Sequence, residues 1–289
     1  MDDVVIEVRN LSYAYAGASE LSLSCKGHRV SAVDRLSLSV KRGERLAVLG
    51  ANGSGKSTLL MLLNGTLRPT DGTILINGQP FDTSRSGLSY LRQKVGLVFQ
   101  DPDDQLFAPT VYQDVAYGPS NLGCNEAKTR RRADEALHLL GIADLAKSPI
   151  HMLSGGQKKR AAIAGIMAMR PEVLLLDEPT AGLDAAGLRH LMTFLDRLSA
   201  CGTTVISAVH DTDLALEWAD SVAVLVQGKN ARQGIPQEVL LDHELLDAAH
   251  LRMPMVLKGF QLATGIRGTT AEAEIPRTIE QLIQLLKSR

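Results

Sequence analysis

The chain has 289 residues, with 31 Lys and Arg set against 32 Asp and Glu and a formal net charge of −1. This length suits one large α/β domain with a small appendage and is too short for two such domains. The balanced charge gives no basic field that would draw the chain to phosphate backbones, which argues against nucleic acid as a partner.

The N-terminus, MDDVVIEVRN, opens on acids and lacks the basic-then-apolar order of a targeting segment. No apolar run approaches the ~20 residues of a spanning helix, so a membrane role is expected to run through another protein. Val4 to Val8, Leu36 to Val40, and Thr73 to Ile76 before an Asn77-Gly78 turn read as antiparallel strands of a small β subdomain. Between them, Ala16 to Ser31 is rich in Gly, Ser and Ala, has no period, and reads as an extended surface loop. Cys25 and His28 in that loop have a spacing that metal ligands use, but no second Cys/His pair stands near them. The three cysteines, Cys25, Cys124 and Cys201, are an odd and scattered set that fits reduced thiols.

From Arg45 onward, short apolar runs alternate with helical stretches. Arg45 to Leu49 reads as strand, Lys56 to Leu63 as helix, Val95 to Phe99 as strand, and Glu126 to Leu140 as helix. Val173 to Leu176, Thr203 to Val209 and Val222 to Val226 continue as strands, with Leu188 to Leu198 and Leu214 to Ala219 as helices. This alternation predicts an α/β fold, a mainly parallel sheet with helices on both faces. After Gly228 the alternation stops, and short helices are expected from Pro236 to Lys287. The last of them carries Ile279, Leu282, Ile283 and Leu286 as one apolar stripe, to be covered by its own domain or by a second copy of the chain. The resulting division is residues 1–234 as the main domain, with a helical part at about 101–170, and residues 235–289 as a C-terminal extension with possible dimerisation use.

Gly50-Ala51-Asn52-Gly53-Ser54-Gly55-Lys56-Ser57-Thr58 follows a strand and opens a helix, the context a phosphate loop requires. Glycines let backbone N–H groups face the β- and γ-phosphates of a nucleotide, Lys56 adds a full charge, and Ser57 offers a hydroxyl to Mg²⁺. A glycine-rich turn alone would account for the glycines but not for the Lys-Ser pair. Val173 to Leu176 ends in Asp177 and Glu178, read as a Mg²⁺-binding carboxylate and a general base; without the phosphate loop, helix capping would be the better reading. Ser154-Gly155-Gly156-Gln157 stands before a helix-like run and forms a second anion cradle. Since one loop already wraps the γ-phosphate, a second cradle is best explained by closure on a nucleotide held by another subunit.

These motifs in this order resemble the ATP-binding cassette (ABC) family over roughly Val4 to Gln233. The resemblance implies a P-loop ATPase cassette with an N-terminal antiparallel β subdomain, a helical subdomain carrying Ser154 to Gln157, and ATP and Mg²⁺ as bound groups. It implies that Gln100 touches Mg²⁺ and water, that Ala181 to Asp184 forms the D-loop, that His210 is the switch histidine near the γ-phosphate, and that Tyr15 or else Tyr13 stacks on adenine. Phe99 to Phe107 (FQDPDDQLF), Thr110-Val111, Asp114 to Ala116, Gly118-Pro119, Leu153 to Gly165 and Ala168 to Pro171 resemble energy-coupling-factor transporter ATPases, above all the cobalt and nickel uptake branch. That branch implies a homodimer or a pair of paralogous ATPases at the cytoplasmic face of the membrane, under a transmembrane scaffold (T component) and beside a substrate-capturing membrane protein. The acidic loop at Asp101 to Gln105 is then expected to link nucleotide state to a docked helix of the partner. The alternatives are a soluble cassette ATPase acting on DNA or ribosomes, which would call for heptad arms or zinc-binding cysteine pairs, and a small-molecule kinase, which has no use for a second cradle.

Overall fold

A computed structural model describes residues 3–15, 31–265 and 275–287 of the chain. The loop expected over Ala16 to Ser31, with Cys25 and His28, falls outside the described residues except for Ser31. In chain order the strands are β1 (Val4–Tyr13), β2 (Val33–Lys41), β3 (Arg45–Leu49), β4 (Asp71–Ile76), β5 (Gln79–Pro80), β6 (Val95–Val98), β7 (Val173–Asp177), β8 (Thr204–Ala208), β9 (Ser221–Val226) and β10 (Lys229–Gly234). The helices are α1 (Lys56–Leu63), α2 (Arg85–Lys94), α3 (Val111–Asn121), α4 (Glu126–Leu139), α5 (Gly155–Ala168), α6 (Ala185–Ala200), α7 (Thr212–Trp218), α8 (Pro236–Val239), α9 (His243–Ala248), α10 (Met255–Thr264) and α11 (Ile279–Lys287). Two compact units result, one of residues 1–62, 67–81 and 208–289, the other of residues 63–66 and 82–207.

The first unit holds an antiparallel sheet in the order β2-β1-β4-β5, with Val8 opposite Leu38 on one side and Ile74 on the other. Alternate side chains of β2 are buried, the period-2 pattern that makes a two-faced strand legible. It also holds β3 paired in parallel with β9, and β9 paired antiparallel with β10. β10 overturns the expectation that alternation ends at Gly228. Gln227 and Gly228, both at positive φ, turn the chain back as a two-residue hairpin, and the polar run Lys229 to Gly234 has no apolar pattern to announce an edge strand.

The second unit builds β8-β7-β6, with β6 and β7 parallel and all three strands buried along their length. Helices α3, α4 and α5 pack on one another, and α2 and α5 both contact β6. α2 and α3 have no counterpart in the pattern read from sequence. α2 has one buried residue, Leu91, and α3 contains Gly118 and Pro119, so neither shows a sustained apolar stripe.

In the first unit, α7 is gripped at both ends by the C-terminal part of the chain. The Thr212 hydroxyl donates to the Arg252 carbonyl at 2.8 Å and the Met255 amide donates to Asp213 at 2.7 Å. At the other end Arg277 donates to the Leu216 carbonyl at 2.8 Å and also to that of Ala219. The stripe of α11 divides: Leu282 packs beside Gly259 of α10, while Ile279, Ile283 and Leu286 are exposed.

The strand that leads to the phosphate loop is pinned at its start. Arg45 at the head of β3 binds Asp220 at the head of β9 through its backbone amide at 2.9 Å and its guanidinium at 2.8 Å, and lies over the Trp218 ring. Burial alone would raise the Asp220 pKa, but hydrogen bonds and charge from Arg45, with Arg277 added, hold the carboxyl below its ordinary range. A depressed carboxylate contributes stability above its unfolded pKa and loses it as pH falls through the folded value. We therefore expect Asp220→Asn to destabilise the protein at pH 7 by about 1 kcal/mol or less, since the pair is half in water. In thermal melts, the gap to wild type should close below about pH 4.

Candidate functional site

β3 runs buried to Leu49, and the chain then turns through Gly50 to Gly55 before Lys56 opens α1. Gly50, Gly53 and Gly55 all have positive φ, which an L side chain resists. Lys56 is buried, and its ammonium donates to the carbonyls of Gly50 at 2.8 Å and Ala51 at 3.2 Å, so the side chain arches over the loop. Ser54 closes the loop through its amide on Ala51 and its carbonyl under Gly228, while its buried hydroxyl has no hydrogen-bond partner among the described residues. An orphaned hydroxyl, a buried ammonium and the N-terminal end of α1 make a cradle suited to a polyphosphate. Asn52 and Gly53 are exposed and Ser57 half-buried beside it. The Tyr15 hydroxyl lies 3.2 Å from the Thr58 hydroxyl, and its ring, 45% exposed, meets Tyr13 edge-on at 5.0 Å. Tyr15 thus stands next to the first turn of α1 with aromatic surface open.

In the second unit, β7 delivers Asp177 and the chain bends at Glu178, which has φ +43°. Both acids are buried. A left-handed conformation costs a non-glycine residue about 1–2 kcal/mol and is held only by its surroundings. Here the Glu178 carbonyl accepts from the Ala181 amide at 3.1 Å and from the ammonium of Lys159 at 3.3 Å. The same ammonium donates to the Gln100 carbonyl at 2.7 Å. Burial pushes the Lys159 pKa below the ordinary lysine value, while Asp177, Asp101 and Glu178 pull in the opposite direction. Sequence reading missed Lys159, although it stands four residues before the buried Ile163 on α5, where a charged residue on a buried face is the available signal.

Gln100 follows β6 with its side chain exposed. The acidic loop after it is largely engaged within the chain: Asp101 accepts from the Asp103 amide at 2.9 Å, and the Asp103 carboxylate pairs with Lys158 at 2.7 Å. Asp103 and Asp104 are both exposed, Asp103 while paired with Lys158. The buried Asp114 accepts from the Phe107 and Ala108 amides, each at 3.0 Å, and sets the turn between this loop and α3.

Ser154 caps α5. Its side chain faces the Gln157 amide, and the Gln157 side chain accepts from the Ser154 amide at 2.8 Å, a reciprocal capping box. The Ser154 hydroxyl acts there as acceptor, so its proton stays available to an anion. Gly155 and Gly156 in the first turn leave the helix end uncovered. The cradle opens on a cavity of about 420 Å³ shared with Gly182, Leu183 and Asp184, so the second unit brings the cradle and the expected D-loop to one surface. The Asp184 carboxylate caps α6 through the Gly187 amide at 2.7 Å. His210, in the first unit, is exposed and directly precedes Asp211, the cap of α7. Among the described residues no cluster of three His, Cys, Asp or Glu could hold a metal ion, and no helix is long and apolar enough to cross a membrane.

The sequence model of the family described as ABC transporter matches residues 33–181. The cobalt import ATP-binding protein CbiO of Rhodobacter capsulatus is 48% identical over 278 residues, covering 96% of this chain and 95% of that protein. The energy-coupling factor transporter ATP-binding protein EcfA2 of Methanospirillum hungatei is 44% identical over 283 residues, 98% of this chain and 68% of that protein. Among solved structures, cbiO1 from Clostridium perfringens, described as part of the ABC transporter complex cbiONQ, superposes with a TM-score of 0.73 at 43% identity, over 87% of this chain and 96% of that one.

The loop geometry separates two glycines that both hold positive φ, +79° at Gly53 and +103° at Gly55. A Cβ at Gly55 would run into the Ala32 carbonyl oxygen, whereas one at Gly53 meets nothing within 4 Å. Gly53→Ala should then cost only the left-handed strain, about 1–2 kcal/mol, and keep nucleotide binding. Gly55→Ala adds a backbone clash and should cost more in thermal melts and abolish binding of a fluorescent nucleotide.

Proposed function

The chain belongs to the ABC transporter family, and from that membership we propose that it is the ATP-hydrolysing motor of an energy-coupling-factor importer for cobalt ions. The names of its relatives support the cargo and the importer type. The observation that carries the motor reading is the second cradle: Ser154, Gly155, Gly156 and Gln157 stand on a solvent-open cavity beside Asp184, an anion site that a single-site phosphotransferase would not use.

In this reading, the loop amides of Gly50 to Thr58 and the Lys56 ammonium bind the β- and γ-phosphates of ATP, the buried Ser54 hydroxyl finds its partner there, and Tyr15 offers its ring to the adenine. Ser57, Gln100 and Asp177 supply hydroxyl, amide and carboxylate oxygens, the hard donors that suit Mg²⁺, which neutralises phosphate charge when bound. Glu178 takes a proton from water as the water oxygen bonds to the γ-phosphorus and the bond to the β-phosphate oxygen breaks, yielding ADP and phosphate. His210 hydrogen-bonds the γ-phosphate and so reports its loss. Ser154 to Gln157 and Asp184 close over the nucleotide of a second ATPase chain, identical or paralogous, so each active site is composite. The motor lies peripherally at the cytoplasmic face and drives a transmembrane scaffold and a substrate-capturing membrane protein.

Glu178→Gln should keep Mg-ATP binding and lower turnover by about 10² to 10⁴. Gel filtration of this variant should show a dimer with Mg-ATP and more monomer with Mg-ADP. Near-wild-type turnover would remove Glu178 as the base, and a dimer independent of nucleotide would remove the ATP-gated closure. Uptake of radioactive Co²⁺ by cells expressing the complex, lost with Lys56→Ala, checks the cargo; uptake unaffected by that change would exclude it.

A further inference from the structure

We infer that Lys159 is a positioning residue for ATP hydrolysis, which ties the backbone of Gln100 and that of Glu178 to the helix that carries the Ser154 cradle. The inference rests on the reading of Glu178 as the base. Its physical content lies within the second unit. Lys159 is buried with only 3% of its surface exposed, sits in the second turn of α5, and sends its ammonium between two carbonyls from different loops, Gln100 at 2.7 Å and Glu178 at 3.3 Å. A buried ammonium is costly unless its donors are used and its charge is met. Two donors go to those carbonyls, and the nearby carboxylates of Asp177, Asp101 and Glu178 supply the opposing charge.

This arrangement has a consequence for the reacting groups. Glu178 stands at φ +43°, a conformation that its own propensity opposes, and the side chain that acts on water takes its direction from that backbone. The Ala181 amide and the Lys159 ammonium both donate to the Glu178 carbonyl, and the same Lys159 nitrogen holds the Gln100 carbonyl at the start of the next loop. Because α5 is a continuous helix from the capping box at Ser154 through Lys159, a shift of its first turn carries Lys159 with it. Engagement of the cradle therefore reaches the base and the Gln100 loop through a single side chain four to five residues along the same helix, without passing through the nucleotide.

The test uses the full chain. Lys159→Met keeps the length and the burial of the side chain and removes the charge and both donors. The expected result is kcat lower by about 10- to 100-fold, the scale of a misplaced catalytic group, with KM for ATP within about twofold, since the phosphate loop is untouched. In nucleotide-free protein, hydrogen exchange should quicken in peptides spanning 98–106 and 176–184 and stay at wild-type rates elsewhere. Lys159→Arg, which restores a cation with several donors, should recover kcat to within about threefold of wild type. If Lys159→Met does not fold, Lys159→Gln, which offers a donor to one carbonyl, takes its place with the same expectations. Wild-type kcat and exchange in the substituted protein would overturn the inference, as would a fall in kcat matched by a general rise in exchange, or an Arg variant as slow as the Met one. Glu178→Gln is run beside them. If that variant turns over normally, the base reading fails on its own account, and the local exchange at 176–184 still decides whether Lys159 holds the bend.

Discussion

Strands whose every side chain is buried can carry no polar chemistry along their length, and this constraint organises the protein. β6, β7 and β8 are buried throughout, as are four of the five residues of β3. Their backbone groups are satisfied within sheets, and apart from Asp177 at the end of β7 and Thr204 and Ser207 of β8 their buried side chains are apolar. Polar function is thereby pushed to the points where strands stop. The phosphate loop follows β3, Gln100 follows β6, and Asp177 is the last residue of β7 with Glu178 the next. The carboxyl ends of strands are where open α/β sheets bind ligands, for this reason among others. A helix end adds to this at two places: α1 begins where the phosphate loop ends, and α5 begins at the Ser154 cradle.

Burial of charge at these strand ends has to be balanced locally. Lys56 lies on loop carbonyls and Lys159 lies among Asp101, Asp177 and Glu178. Each lysine is held by backbone oxygens, so its position depends on the course of the main chain and not on one mobile carboxylate partner. A loop gripped in this way has few alternative conformations, which is the condition for a group to act without reorganising at the moment of reaction.

Much of this was legible in the sequence. The buried strands announced themselves as continuous β-branched and leucine runs, and α1 was read with the bounds it has, because the glycine-rich loop marks its start. α2 and α3 were not legible, since one is mostly exposed and the other is interrupted by Gly118 and Pro119; β10 was not, since an edge strand of polar residues has no alternation to read. The phosphate loop, the acid pair after β7 and the second cradle could be named from residue type and spacing, and Gln100, His210 and Tyr15 from the family resemblance, but their environment could not. Nothing in the run Lys158-Lys159-Arg160 says that the first lysine pairs with Asp103, the second is buried between two carbonyls, and the third reaches the Gly141 carbonyl. That division follows from the 100° turn between successive helix positions, which is visible only once the face that packs is known.

The grip on α7 gives the C-terminal segment a mechanical meaning. His210 lies immediately before that helix, and residues 252, 255 and 277 hold the helix at its two ends. Asp211 caps the start of α7, while the carbonyls at its other end are taken up by chain that is distant in sequence. Removing residues beyond about 250 would leave the carbonyls of Leu216 and Ala219 facing water, and the element behind the histidine would be free to fray. Shortened natural or laboratory versions of this chain are consequently better sorted with lesions of the histidine's anchoring than with the loss of a passive tail.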